Sequence, residues 1–325
     1  APRPPSTNGP SRPSTPQAMK RATRRQKRKV RRLERGATIC VNAPGTSHFH
    51  ERAVINWFAL GFPRNLQVPA EEAQTPAGVE DVSLASPRAA ETVRLLHSPS
   101  HSLVKGTNRI EAAVRVLQAR GLAVELRTLS GASNEVVLEA LRQCDLVVDQ
   151  LFSDTPMAGL ATEAAHLGKP ALVGGYFARE LPQGLAGLPL PPTRFVDPDR
   201  FEAELEALVQ DANARVSLGR AALNFVQTEW ACHRVAERLL RALYGEVPSH
   251  WWLDPTSTRY LAGCGLPEER ARDHVRELIR YAGIVALELG DKPKLESAFA
   301  DWAGINASGL GRTVQGRAHD PHIGA

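Results

Sequence analysis

Residues 94–117 read RLLHSPSHSLVKGTNRIEAAVRVL, and residues 145–175 read DLVVDQLFSDTPMAGLATEAAHLGKPALVGG. The first stretch opens on a short apolar strand, Val93–His97, and passes through small residues to Lys105-Gly106. It continues as a helix, Arg109–Arg120, whose Ile110, Ala113, Val114 and Leu117 fall on one face at the helical period. Gly121 ends it as a C-terminal glycine does. The second stretch gives a buried strand Asp145–Asp149, a loop, a helix Gly159–Leu167 carrying Glu163, a break at Gly168-Lys169-Pro170, and a strand Ala171–Val173. Between the two, Ala123–Leu129 alternates like a strand, Ser133 caps a helix, and Glu135 sits in its first turn. Strands alternating with helices predict βαβ units on a parallel sheet. The fold class is therefore α/β, a Rossmann-like parallel sheet with helices on both faces.

Outward from this centre the pattern changes. Toward the C-terminus, Gly187–Pro192 marks a loop before Arg194-Phe195-Val196, and helices follow at Asp199–Asp211, Ala214–Thr228 and His233–Leu243. Trp251-Trp252-Leu253-Asp254-Pro255 and a helix Glu268–Tyr281 form a small helical C-terminal appendix over residues 246–304, and 305–325 read as a flexible tail. Toward the N-terminus, residues 37–90 carry a short strand Thr38–Asn42, an apolar run ending in Gly61-Phe62-Pro63, and a polar connection. Residues 19–36 are a basic helical segment, and 1–18 are Pro/Ser-rich and expected to be disordered. The α/β domain proper spans 91–245.

The net charge of +5 is unevenly spread. Residues 1–36 hold 12 of the 40 Lys and Arg and one of the 35 acids, leaving the rest mildly acidic with 28 against 34. A basic groove built into the fold is therefore not expected. The run Lys20–Arg35 has almost no apolar face and admits three readings. The first is a solvated helix end, and the second an anionic membrane surface that attracts residues 20–35. Nucleic acid comes last, for want of interleaved aromatic residues. No apolar run reaches the ~20 residues of a membrane span, and no apolar core follows the N-terminal charges as in a signal peptide. Cys40, Cys144, Cys232 and Cys264 are scattered without a CxxC pair, as in reduced cysteines of a cytoplasmic protein.

The sheet pattern gathers chemistry at the strand C-termini, where open parallel sheets bind ligands. Lys105, near a helix start, can meet phosphate oxygens, Gly106 allows close approach, and Ser98, Ser100 and Thr107 can add hydroxyls. A lysine at a helix start is electrostatically misplaced unless an anion sits there. Ala158, Gly159 and Leu160 open the helix of Glu163 with free amides, and Thr155 lies in the loop before them. Glu163 can accept from two vicinal hydroxyls, although a glutamate near a helix start often only compensates the dipole. Ser130 lies where a base or ribose could rest. His48 and His50 make a poor metal pair without a carboxylate cluster, so no metal site is expected. His97 and His101 lie at the ligand edge, either touching phosphate or merely exposed, and His166 reads as packing or surface. No P-loop, nucleophile elbow or complete GxGxxG is present.

Taken together, residues 92–245 resemble the C-terminal, nucleotide-sugar-binding half of GT-B-type retaining glycosyltransferases (group 1, family 4-like). The matching pieces are strand–loop–Lys105-Gly106–helix, Asp145-Leu146-Val147-Val148-Asp149, and Gly159-Leu160-Ala161-Thr162-Glu163-Ala164-Ala165-His166-Leu167-Gly168-Lys169-Pro170. Thr38–Gly61 resembles the family's interdomain passage, and 214–243 its returning helices. The resemblance implies that Lys105 binds the donor diphosphate, Glu163 holds the ribose, and the amides of Ala158–Leu160 hold phosphate. It implies sugar transfer from a UDP- or GDP-sugar to a carbohydrate, lipid or protein hydroxyl, without a metal or a tightly bound cofactor. Positioning and neutralising the departing phosphate would carry the catalysis. Ala158 and His166 depart from the family's signature, Thr155 replaces an earlier carboxylate, and Ser100 and Pro99 replace a loop arginine. The family's acceptor domain is largely absent before Thr38. The alternative is a catalytically silent nucleotide-binding or scaffold protein that retains only the donor-domain fold. A third reading is an unrelated α/β domain that uses its basic arm on anionic polymers or membrane.

Overall fold

The computed structural model describes residues 16–64, 92–152, 156–179, 190–255 and 266–305. Its centre is a five-stranded, all-parallel sheet of β3 (Val93–His97), β4 (Val124–Thr128), β5 (Leu146–Gln150), β6 (Ala171–Gly174) and β7 (Arg194–Val196), in the order β4-β3-β5-β6-β7. The expected α/β class is observed. Strand order reverses between β3 and β5, so the crevice at their C-terminal ends is the topological switch point, the usual ligand position in such sheets. β5 is buried along its whole length, as a central parallel strand covered on both faces must be.

Helices cover both faces. On one, α4 (Thr107–Ala119) and α7 (Phe201–Gln210) bury Ile110, Val114, Leu117, Phe201 and Leu205 against Leu95, Leu146 and Val148. On the other, α5 (Asn134–Gln143), α6 (Gly159–His166) and α8 (Ala212–Thr228) bury Val137, Leu141, Ala161, Ala164, Ala222 and Val226 against Leu96, Val147 and Val173. α6 and α8 cross so closely that a Cβ on Gly219 would stand 2.2 Å from the carbonyl oxygen of Gly168. Cys144 lies in this core, and burial pushes its thiol up to about 11, so it is inert.

A second, smaller unit joins the two ends of the described chain. β1 (Val41–Asn42) pairs parallel with β2 (Val54–Asn56), and β2 pairs antiparallel with β8 (Trp252–Leu253). The apolar run of Val54–Leu60 therefore divides into a strand and a short helix, α2 (Trp57–Leu60). α2 serves both units. Phe58 enters the sheet core with Trp230, while Ala59 and Leu60 pack with Ala242 of α9 (Cys232–Leu243) and with Trp251. Gly61 turns the chain at φ 93°, where a Cβ would meet Trp230 at 2.6 Å. The region after 246 is thus not wholly helical: its first strand completes the small sheet, and α10 (Glu268–Ala282) and α11 (Pro293–Trp302) follow.

The basic segment forms α1 (Pro16–Gly36), which begins inside the stretch expected to be disordered. It is not a free helix end. Lys27 Nζ donates to Asp291 at 2.7 Å and to the Glu288 carbonyl at 2.5 Å, and Arg31 pairs with Glu51. Glu34 accepts from His50 Nδ1 at 2.8 Å, while Lys292 Nζ donates to the His50 carbonyl at 2.8 Å. Both ring nitrogens of His50 are engaged, the second by Asn42 at 2.8 Å, which explains the histidine without a metal. The connection 65–91, the tail after 305 and Cys264 lie outside the described residues.

Candidate functional site at the β3–β5 switch point

The loop after β3 runs through Ser98–His101 into a single turn, α3 (Ser102–Lys105), then Gly106 at φ 72°, then α4. A Cβ on Gly106 would stand 2.7 Å from Leu151 Cβ, so glycine is required by both conformation and space. Lys105 therefore closes a helical turn instead of opening α4. At a helix C-terminus a cation is favourably placed, so the electrostatic misplacement expected from the sequence does not arise.

The chain itself supplies the anion beside Lys105. Its Nζ donates to Asp149 Oδ1 and to Gln150 Oε1, both at 2.8 Å, and its carbonyl accepts from Leu151 N at 3.1 Å. Asp149 is fully buried, and its Oδ2 also accepts from Ala161 N at 3.4 Å in the first turn of α6. One carboxylate thus neutralises the lysine and meets the positive end of a helix, joining the β3 loop, β5 and α6. A register shift in the β5–β6 pairing falls between Val148 and Gln150, at Asp149. Bulges commonly re-aim side chains in this way. An ammonium has three donors; two are committed among the described residues, which leave the third for a ligand oxygen.

Glu163 lies in the second turn of α6, so it is not the dipole-compensating residue of the first turn. It is 7 % exposed. Asn134 Nδ2, at the start of α5, donates to Glu163 Oε1 at 3.2 Å, and Oε2 takes no hydrogen bond among the described residues. A buried carboxylate normally fills its acceptor capacity. Here, among the described residues, one oxygen has no protein donor, and it is not one of the buried side-chain atoms left without a partner. The amides of Gly159 and Leu160 lie at the first two positions of α6, beyond the reach of intrahelical bonding.

The remaining expected residues divide. Ser98 is spent on the Leu129 carbonyl at 3.1 Å and so ties β3 to β4. Ser100 and Ser130 are exposed at the same edge. The Ala158 carbonyl caps α6 by accepting from Thr162 N at 3.1 Å and from Thr162 Oγ1 at 2.9 Å. The Leu160 side chain is buried in the core, leaving its amide alone as a candidate donor. Thr155 lies outside the described residues, as does the side chain of His48.

Three histidines of the region have structural partners or none. His97 is fully buried between the Val148 carbonyl at 2.8 Å and Thr107 Oγ1 at 2.9 Å. Burial holds its pKa below the usual value, consistent with a neutral ring that donates to the carbonyl and accepts from the hydroxyl. It therefore offers nothing to phosphate. His101 is exposed at the start of α3. His166 is bound to the Phe62 carbonyl at 3.2 Å, joining α6 to the turn after α2, and burial lowers its pKa too.

Sequence reasoning missed Asp149, Gln150 and Asn134 as members of this edge. The signal for the first two was an acid and an amide ending an otherwise apolar strand, the position that faces the crevice of a parallel sheet. No protein-family model matches the chain, and no curated protein matches it as a relative.

Proposed function

We propose that the β3–β5 crevice binds the nucleoside diphosphate of a sugar donor, and that the chain is a glycosyltransferase, or part of one, with a GT-B-like donor domain. The observation that carries the reading is Glu163, a buried carboxylate with one committed and one open oxygen at the ligand edge. The open Oε2, with the lone pair that Asn134 leaves on Oε1, suits a ribose diol better than a structural role. The Gly159 and Leu160 amides and the third N–H of Lys105 offer donors for the phosphates. In the transfer, the C1–O bond of the sugar to the diphosphate breaks while an acceptor hydroxyl oxygen bonds to C1 and passes its proton to the departing diphosphate oxygen. Lys105 and the α6 amides would stabilise the charge building on the leaving phosphate. The acceptor is a hydroxyl of a carbohydrate, lipid or protein. The setting proposed is cytoplasmic, in keeping with the free thiols of Cys40, Cys144 and Cys232 among the described residues.

The Lys105–Asp149 pair favours a second reading, a nucleotide-binding protein that does not transfer. A lysine already neutralised by a buried carboxylate gives less stabilisation to a departing diphosphate than a free one. The two readings separate when the chain is incubated with UDP- and GDP-sugars and release of the nucleoside diphosphate is followed. Turnover supports the transferase; saturable binding of UDP or GDP without release supports the silent binder. If neither nucleotide binds, both readings fail.

A further inference from the structure

We propose that the outward half of α1 is a docking surface for double-stranded DNA, independent of any reading of the sheet edge. At about 100° per residue, Thr23, Lys27, Val30 and Glu34 share one side of α1. These are the positions that turn toward the body: Glu34 is buried and the other three are half-buried. The side is fixed by the Lys27–Asp291 and Glu34–His50 contacts at 2.7 and 2.8 Å and by the Arg31–Glu51 pair. Away from that side, Arg24, Arg35, Arg28, Arg21, Arg32, Arg25 and Lys29 follow one another around an arc of about 140°, with Ala22 and Leu33 next to Lys29; at its other edge Arg24 joins Lys20 and Arg31 in facing Glu288, Asp291 and Glu296 of the body. All the cations of the arc are exposed, and arginine predominates.

Sequence reasoning ranks nucleic acid last for want of aromatic residues, but stacking platforms serve single strands. A duplex is held through its phosphates, which need cations and no aromatic surface. The shape of the patch decides between the polyanions. A bilayer is flat and takes up a lying helix by admitting its apolar face into the acyl boundary. The cation arc contains no apolar residue; Leu33, the exposed apolar side chain of α1 at 61 %, lies beyond its edge. The major groove of B-DNA is about 12 Å wide and admits one helix between two walls of phosphate. An arc of cations of about 140° faces both walls at once. A-form RNA offers a deep, narrow major groove that does not admit the helix. The helix is already formed and braced, so docking requires no folding step, and the remaining chain is acidic on balance.

The test is fluorescence anisotropy of the full chain with a labelled 20-base-pair DNA duplex over a salt series. Parallel titrations use a double-stranded RNA of the same sequence and phosphatidylglycerol vesicles. DNA should bind most tightly, with log K falling against log salt at a slope of about −4 to −7, as expected for roughly five to eight phosphate contacts. Joint Arg21→Gln, Arg25→Gln, Arg28→Gln and Arg32→Gln substitution should weaken binding at least tenfold and reduce the slope by about 3–4. The matching four Arg→Lys changes should keep most of the binding, and Arg109→Gln with Arg115→Gln on α4 should not alter it. Circular dichroism establishes that each variant keeps its helices. A salt-independent signal, an unaffected glutamine variant, or tighter binding to vesicles or RNA than to DNA overturns the proposal.

Discussion

Lys105 and Glu163 occupy the same sheet edge, yet the chain finishes their two neighbourhoods differently. Around Lys105 the charge is answered from within, by a fully buried Asp149 and by Gln150 at 2.8 Å. Around Glu163 the described residues offer one neutral donor, Asn134 at 3.2 Å, and leave the other oxygen without one. The first arrangement is a clamp that holds a loop, a strand and a helix together. The second is an incomplete coordination shell. A titratable residue at a ligand edge is therefore not by itself a binding residue; the distinction lies in how much of its capacity the fold has already consumed.

The largest effect should come from breaking the clamp. Asp149→Ala leaves Lys105 without its carboxylate partner and α6 without its anion, and should cost about 3–5 kcal/mol, the range for removing one member of a buried pair. Urea unfolding measures it, and a loss under about 1 kcal/mol would show the pair to be solvent-relaxed. Gly106→Ala comes next. A left-handed alanine costs about 1–2 kcal/mol, and crowding against Leu151 adds about 1–3 kcal/mol. Unchanged stability would mean that the Lys105 turn shifts freely.

A smaller effect concerns His97, whose pKa is lowered by burial. The folded state then binds fewer protons than the unfolded state. Its contribution is complete above the unfolded pKa of about 6.5 and is lost as pH falls through that value toward the lowered folded one. The slope is at most about 1.4 kcal/mol per pH unit. His97→Gln should flatten this acid limb of the stability profile, and an unchanged limb would assign the dependence to other groups. The smallest stability change belongs to Glu163→Gln. The amide oxygen can still accept from Asn134, so the loss should remain within about 1 kcal/mol. A loss as large as that of Asp149→Ala would make Glu163 a second clamp and erase the contrast.

The order of strands and helices from Val93 to Leu243 was legible in the sequence, because apolar periods and Gly/Pro breaks are local signals. So was the gathering of Lys105, Glu163 and the α6 amides at one edge, which follows from parallel topology alone. The Lys105–Asp149 pair was not. It links positions 44 apart, and it depends on which strand adjoins β3 and on the shift at Asp149, neither of which leaves a local trace. Gly106 was read as permitting approach to a ligand, whereas its left-handed conformation separates α3 from α4 and places Lys105 at a helix end. The β2–β8 pairing and the bracing of α1 by Glu51, Asp291 and His50 likewise join distant segments that composition cannot relate.

The claim that Glu163 holds a ribose is tested most directly by calorimetric titration with UDP, GDP and ADP beside their 2′-deoxy counterparts, on the native chain and on Glu163→Gln. The native chain should bind one ribonucleotide saturably and its deoxy form about tenfold or more weakly, the loss of one charge-assisted hydrogen bond. In the variant the two forms should bind alike, at the weaker level. Equal affinity of the native chain for both forms, or a preference for ribose that survives Glu163→Gln, would contradict the assignment.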